Sequence, residues 1–247
     1  MNIDIDLTYY ENVCRQLDEI VKQDRENIQK AVLIMVDAMK EGGLIHIFGT
    51  GHSHIFSEEA FYRAGGLACI NPVLEPSLML HAGAMKSSAL EDLDGYAEKL
   101  YHHLQPESRD AFILFSNSGV NLVPFQMSKI VQENGIPIIA VGSRKYIEYL
   151  KNTKKRESIM ENCTVFIDNH SEIGDASIPI PDSDLKMAPT STLTGVFILN
   201  LILVNAATHL LQNEHITPPV FISGNLPEGK MRNKKIFDQF RTRVRFL

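Results

Sequence analysis

The chain has 247 residues, of which 44% are hydrophobic and 22% charged, and this composition excludes a largely disordered or fibrous protein. Its net charge of −6 repels a polyanion at long range, so nucleic acid is not expected as a partner. The three cysteines, Cys14, Cys69 and Cys163, lie far apart without a metal-ligand spacing, which is typical of free thiols in a reducing compartment.

The N-terminal part of the chain is predicted to be helical. It begins with MNIDIDLTYY, which has acidic residues where an export signal has a basic region, so a cytoplasmic location is expected. Apolar residues then recur at helical spacing over 9–40, and Glu41-Gly42-Gly43 provides a stop signal. This pattern predicts one long helix or two helices in series.

Strands and helices alternate after this helical region. Residues 44–48 (LIHIF) predict a first strand, which GTGHS follows directly, and residues 54–64 predict a helix that ends at Gly65-Gly66. Residues 67–73 predict a second strand that is closed by a proline.

The second half of the pattern indicates a parallel sheet. Residues 110–116 (DAFILFS) are the clearest buried strand, 123–134 predict a helix, and IPIIAVGS predicts the next strand. Residues 163–169 predict a further strand. The order strand, helix, strand indicates a right-handed βαβ unit, and therefore an α/β protein with an open parallel sheet between helical layers.

One long apolar segment, residues 193–211, has the length of a membrane span. It contains Asn200 and Asn205, whose amides would be costly in hydrocarbon, so membrane insertion is not expected. A helix that is apolar on nearly all sides instead indicates the centre of a domain or of a homodimer or homotetramer. No linker is visible, and we expect one domain over 1–212 with a C-terminal tail over 213–247 that packs on the same chain or on a neighbouring subunit.

Three segments combine hydroxyl or glycine residues with the start of a predicted helix. They are GTGHS after the first strand, SNSGVN after the strand DAFILFS, and Thr190-Ser191-Thr192 before the long apolar helix. Backbone N–H groups at a helix N-terminus and nearby hydroxyl groups bind phosphate well. A single such segment is often no more than a helix cap, but three together predict an anion site at the carboxyl ends of parallel strands.

These same residues resemble the sugar isomerase (SIS) domain family. The resemblance covers about residues 10–212, and it rests on FILFSNSGVN with QENGIPIIAVGS downstream, on GTGHS, and on APTSTLTGVFILN. The chain is most similar to the phosphoheptose-isomerase-like branch, and its PTST segment also resembles the N-acetylmuramic acid 6-phosphate etherases. The resemblance implies a flavodoxin-like, three-layer α/β sandwich that binds a phosphorylated sugar.

The resemblance also implies which residues contact the ligand. The predicted phosphate-binding residues lie in the first two loops: Thr50, Ser53, Ser116, Asn117, Ser118 and Asn121. The predicted sugar-binding residues are His52, which lies beside Ser53, and the third-loop residues Thr190, Ser191 and Thr192.

An aldose–ketose isomerase also needs a general base next to the substrate carbonyl. In relatives that resemble phosphoheptose isomerase, a catalytic glutamate follows the first-loop serine by roughly ten residues, and this chain has Arg63 there. The remaining candidates for the base are Glu58, Glu59, Glu91 and His81, and Glu75 after the second strand is a further one.

Three other functions are compatible with the sequence. The first is an etherase-type lyase acting on an N-acetylated sugar phosphate, and the second is a phosphosugar-sensing module without chemistry. The third is a dinucleotide-binding enzyme, because GTGHSH begins like GxGxxG, although His54 replaces the third glycine. The segment DNHSEIGDA, with Asp168, His170, Glu172 and Asp175, fits no common metal-ligand spacing and predicts a turn with local side-chain caps. We therefore expect no metal and no cofactor.

Overall fold

The N-terminal region forms two helices in series. The computed structural model describes residues 6–247, so the first five residues, which contribute to the expectation about export, lie outside the described part. Helix α1 spans Thr8–Gln23 and α2 spans Arg25–Lys40, and the backbone of Asp24 leaves the helical conformation between them. Helix α2 ends just before Gly42, which has a φ of +70°.

The sheet has five parallel strands in the order β2-β1-β3-β4-β5. The strands are β1 (Ile45–Gly49), β2 (Ile70–Pro72), β3 (Ala111–Phe115), β4 (Ile138–Gly142) and β5 (Val165–Asp168). This order is the flavodoxin-like one, in which the chain reverses its direction of travel across the sheet between β1 and β3. The expected fold class is thereby confirmed, and the loops that follow β1 and β3 lie side by side at the carboxyl edge.

Helices cover both faces of the sheet. One hydrophobic core includes side chains of α1, α2, α3 (Ile55–Ala60), α8 (Ser191–Gln212) and α9 (Gly229–Phe240). The other core includes side chains of α5 (Tyr96–Leu104), α6 (Leu122–Glu133) and α7 (Arg144–Lys154), against which α4 (Ala84–Glu91) packs. The two short strands β6 (Ala176–Pro179) and β7 (Lys186–Pro189) form an antiparallel hairpin just before α8. The result is the expected three-layer sandwich.

Helix α3 is shorter than the sequence predicts. It ends at Ala60 rather than near Ala64, because Phe61 is extended and Tyr62 has a φ of 43°. The backbone N–H of Gly65 then donates to the carbonyl of Phe221, 2.7 Å away. A contact with the distant tail therefore replaces the last helical turn.

The apolar helix α8 is only partly enclosed by its own chain. It is long and apolar enough to cross a membrane by length and composition alone, and less than half of its most apolar window is buried. Ile198, Leu199 and Ile202 are fully buried in the core, whereas Val204 is 58% exposed.

The tail packs against its own chain. Val220 forms an antiparallel bridge with Leu67, and Phe240 and Val244 are buried in the core. Arg243 Nη2 donates to both carboxylate oxygens of Asp110, at 3.0 and 2.9 Å. Since Asp110 directly precedes β3, the tail is anchored to the amino end of the sheet, opposite the loops that follow β1 and β3.

Candidate functional site

The first loop turns sharply because its strand ends in glycine. A Cβ atom on Gly49 would lie 2.3 Å from the carbonyl oxygen of Ser53, so only glycine permits the two backbones to approach this closely. The Ser53 N–H donates to the carbonyl of Thr50 at 2.9 Å, which closes a tight turn. Ser53 is thereby held at the carboxyl end of β1.

The second loop presents a hydroxyl donor. Ser116 is 5% exposed, and its Oγ accepts a hydrogen bond from the Gly119 N–H at 3.1 Å. A hydroxyl group that accepts from the backbone still has its own hydrogen to donate. Ser116 is therefore oriented as a donor toward an acceptor at the carboxyl edge.

Asn117 presents an amide donor beside this serine. Its Oδ1 accepts from Asn169 Nδ2 and from Ser171 Oγ, both at 2.9 Å. These two bonds fix the amide orientation and leave Nδ2, with its two hydrogens, at the other end of the group. A side chain held in this way is preorganised to donate to an anionic oxygen.

At the third segment, the start of α8, a carboxylate of the same chain already accepts hydrogen bonds. Asp175 Oδ1 accepts from the backbone N–H groups of Thr190 and Ser191, at 3.1 and 3.0 Å, and Asp175 Oδ2 accepts from the Ser191 hydroxyl. Negative charge at a helix N-terminus is favourable, so Asp175 caps α8. The hydroxyl of Thr190 is fully buried and has no hydrogen-bond partner within residues 6–247.

Residues of these segments line one narrow cleft at the β1/β3 switch point. Its polar lining is Ser53, Ser116, Asn117, Asn169 and Ser191, and its apolar walls are Phe56, Phe115, Val141 and Gly195. Four of the predicted binding residues therefore meet. The remaining ones do not line this cleft: Thr50, His52, Ser118, Asn121, Thr190 and Thr192.

The candidate general bases differ in the groups with which they form hydrogen bonds or ion pairs. Glu91, at the end of α4, accepts a hydrogen bond from the hydroxyl of Thr50 and so reaches the first loop. The carboxylate of Glu59 instead pairs with Arg63, four residues further along the chain and beyond the end of α3. Glu91 is thus the candidate that is both partly buried and tied to a predicted binding loop, although, like Glu59, it does not line the narrow cleft.

Glu58 and His81 belong to a separate group. Glu58 Oε1 lies 3.5 Å from His54 Nε2, and the His81 ring lies 5.6 Å from the His54 ring, centroid to centroid. Both Glu58 and His81 are exposed, and neither lines the narrow cleft.

Asn169 also lines the cleft, although it is not among the residues predicted from the sequence. It directly follows β5 at the carboxyl edge and is 3% exposed. The segment does contain the expected local caps, since Asp168 and Asn169 each accept from a backbone N–H two residues on. The signal that could have identified Asn169 is its position directly after a parallel strand, because ligands in such sheets bind at the carboxyl ends of the strands.

The fold and the cleft together define an α/β protein with a small polar site at the switch point of a flavodoxin-like sheet. Comparison with known proteins agrees with this class. The family model of the SIS domain matches residues 8–143, more than half of the chain. The chain therefore belongs to the SIS domain family, which confirms the resemblance noted from its motifs.

Full-length relatives and a solved structure extend the comparison. A UPF0309 protein of Geobacillus kaustophilus is 35% identical over 240 residues, which are 96% of this chain and 94% of the relative. A UPF0309 protein of Listeria innocua is 37% identical over 243 residues, with 97% of each chain covered. The structure of a phosphoheptose isomerase from Francisella tularensis is similar in fold, with a TM-score of 0.52 and 14% identity over 81% of this chain and 94% of that one.

Proposed function

We propose that this protein binds a phosphorylated sugar at the carboxyl edge of its sheet, over the mouth of the narrow cleft, which is too small to enclose the sugar itself. The observation that supports this most directly is the convergence of Ser53, Ser116, Asn117 and Ser191, which come from three separate loops, on one small space. The hydroxyl and amide donors of Ser53, Ser116 and Asn117 suit phosphate oxygens without a net positive field, in keeping with the charge of −6, whereas the Ser191 hydroxyl already donates to Asp175.

The phosphate is assigned to the second loop rather than to the start of α8. Asp175 already accepts the N–H groups of Thr190 and Ser191, and its carboxylate would repel a phosphate group placed there. Ser116 and Asn117, in contrast, have donor hydrogens directed away from their internal partners. The α8 end of the cleft is therefore assigned to the neutral sugar hydroxyls, which can donate to a carboxylate.

The proposed reaction is aldose–ketose isomerisation through an enediolate intermediate. Glu91 is proposed as the general base, because the Thr50 hydroxyl orients its carboxylate at the first loop. It would remove the proton from the carbon next to the carbonyl and return it to the former carbonyl carbon, while the proton of the neighbouring hydroxyl group passes to the former carbonyl oxygen. No cofactor is needed for this transfer.

A phosphosugar-sensing module without turnover is the second candidate. The pairing of Glu59 with Arg63 favours it, because this pair occupies the part of the chain where relatives carry their catalytic glutamate. A panel of sugar phosphates and their unphosphorylated parents, tested by thermal shift, examines both candidates. Only the phosphorylated compounds are expected to raise the melting temperature, and equal shifts from both series would contradict a phosphate site.

We further propose a cytoplasmic homodimer or homotetramer that binds neither nucleic acid nor membranes. A surface groove between α2 and α8, away from the cleft, supports the assembly. Its lining includes Val21, Ile28, Val32, Leu33 and Leu201, and Leu33 is 48% exposed. A second copy of the chain would cover this apolar surface, as apolar helix faces in soluble proteins require.

A further inference from the structure

His54, Glu58 and His81 form a cluster that the proposed function does not use. His54 and Glu58 lie one helical turn apart at the start of α3, and His81 approaches them from the turn Leu80–Ala82. Each residue has a ligand-type atom, and these atoms lie within 4.8 Å of one another. Two imidazole nitrogens and one carboxylate oxygen therefore face a common point.

The hydrogen bonds of His54 determine which of its nitrogens faces this point. Its Nδ1 contacts the carbonyl oxygen of Gly51, and because a carbonyl only accepts, Nδ1 must carry a proton. In the neutral ring, Nε2 then has a lone pair directed toward Glu58 Oε1, 3.5 Å away. A cation placed between these two electron-rich atoms would interact favourably with both.

This arrangement matches the environment of a metal-binding histidine. Such a histidine usually donates its other ring N–H to a backbone carbonyl or a carboxylate, which fixes the tautomer and the ring orientation. The Gly51 carbonyl has that role for His54. A buried histidine held in this way, with a second histidine and a carboxylate opposite its free nitrogen, is a preorganised partial coordination sphere.

A proton on Nε2 is the other possible cation, and the two differ in whether they need His81. A proton shared by His54 and Glu58 would need no third residue, whereas a metal ion needs at least three protein ligands in most sites. Zinc ligands at about 2.0–2.1 Å from the ion lie about 3.3 Å apart in a tetrahedron. Metal binding would therefore require the exposed Glu58 and His81 side chains to close toward that spacing from their present separations of up to 4.8 Å.

We propose that His54, Glu58 and His81 bind one divalent transition-metal ion. The two-histidine, one-carboxylate donor set suits Zn²⁺ or Fe²⁺ rather than Mg²⁺ or Ca²⁺, which prefer oxygen ligands. Three protein ligands leave a further coordination position open. Because two of the three ligands are exposed, that position faces solvent at the edge of the first loop.

The test is a Zn²⁺ titration of the full chain after removal of metals with a chelator. One ion per chain is expected, and His81→Ala and Glu58→Gln should each weaken Zn²⁺ binding at least about tenfold. Both residues are exposed, so these variants should fold. Glu59→Gln is the matched control, because the neighbouring Glu59 carboxylate pairs with Arg63 instead. The Glu59→Gln variant should bind Zn²⁺ with the affinity of the wild type.

Cobalt provides a second readout that does not depend on affinity alone. Co²⁺ bound to the wild-type protein should give visible absorption bands typical of a four- or five-coordinate nitrogen and oxygen site, and these bands should change in His81→Ala. Unchanged Zn²⁺ affinity and an unchanged Co²⁺ spectrum in His81→Ala would overturn the proposal. Sugar-phosphate binding measured in the chelator tests the proposed function separately, so failure of one proposal is distinguishable from failure of the other.

Discussion

His170 Nε2 lies 2.9 Å from Asp24 Oδ2, and this contact joins the corner between the two N-terminal helices to the carboxyl end of β5. Asp24 Oδ1 also accepts from the Asp168 N–H at 3.1 Å. The hydrogen bond to Asp24 raises the pKa of His170, and the nearby carboxylates of Asp168 and Glu19 act in the same direction. Burial opposes ionisation of Asp24, but its hydrogen bonds from His170 and Asp168 lower its pKa overall.

The stability of the protein should depend on pH through this pair. A raised pKa for His170 means that its contribution is complete below the unfolded value of about 6.5 and is lost as the pH rises through the folded value. The lowered pKa of Asp24 means that its contribution is complete above about pH 4 and is lost as the pH falls through the folded value. The pair therefore stabilises the fold most between about pH 4 and 6.5.

Urea denaturation at pH 5.5 and pH 9 checks this prediction. His170→Gln should lower the free energy of unfolding by about 1.5–3 kcal/mol at pH 5.5, as expected for a hydrogen bond between charged groups, and by less at pH 9. His102→Gln is the control, since His102 is exposed on α5, and it should keep the pH dependence of the wild type. An equal loss of unfolding free energy for His170→Gln at pH 5.5 and at pH 9 would contradict the prediction.

Arg243 should contribute measurably to stability through Asp110. Burial opposes ionisation of this carboxyl group, yet hydrogen bonds from His46 and from two backbone N–H groups lower the pKa of Asp110 to about 2, so it is charged at neutral pH. Arg243→Ala removes the guanidinium that pairs with it, and we expect a loss of about 2 kcal/mol in denaturation experiments.

Arg241→Ala serves as the control for this experiment. Arg241 pairs with Asp238 on the exposed side of α9, and removal of such a surface pair should cost no more than about 0.5 kcal/mol. Equal losses of unfolding free energy in Arg243→Ala and Arg241→Ala would mean that the ion pair with Asp110 does not hold the tail in place.

A charge in the groove between α2 and α8 should disrupt the proposed assembly without unfolding the subunit. Leu33→Glu places a carboxylate on this half-exposed apolar surface, and light scattering should show a shift toward monomer. Leu93→Glu, at an equally exposed leucine outside the groove, should keep the wild-type mass. A charge at Leu199 cannot report on assembly, because this residue is buried within its own subunit. A wild-type monomer at micromolar concentration would contradict the proposal.

Glu91→Gln should abolish proton exchange while ligand binding persists. The amide oxygen can still accept from Thr50, but the amide cannot remove a proton. Deuterium incorporation next to the substrate carbonyl in D₂O should fall by at least about 100-fold, the size of effect typical of a general base. Glu59→Gln should retain exchange, and retention in Glu91→Gln instead would exclude Glu91 as the base.

Local patterns in the sequence were sufficient to predict the sheet and its loops. Strands β1, β3 and β4 are mostly apolar runs that end in, or are followed directly by, glycine or serine, so β1 and β3 and the loops with Ser53 and Ser116 are visible without tertiary information. A parallel sheet buried on both faces produces such continuous runs.

The features that the sequence did not reveal depend on distant partners. Asn169 pairs with Asn117 across 52 positions, and Thr50 pairs with Glu91 across 41. His46 looks like a polar residue in an apolar strand, and only the fold shows that Asp110 and Asn71 satisfy its two ring nitrogens. No periodicity encodes these pairings, because each joins elements that meet only in the folded sheet.

The central claim, a phosphate site on the second loop, is tested most directly by calorimetric titration of a sugar phosphate that the thermal-shift screen identifies. Ser116→Ala should weaken binding by about 1–2 kcal/mol, which is about 5- to 30-fold in Kd. Asn117→Asp keeps the acceptor for Asn169 but replaces the amide donor with negative charge, and it should weaken binding further. Ser183→Ala in the exposed hairpin turn should have the wild-type Kd. A Kd unchanged in the Ser116→Ala/Asn117→Asp double variant would contradict the claim.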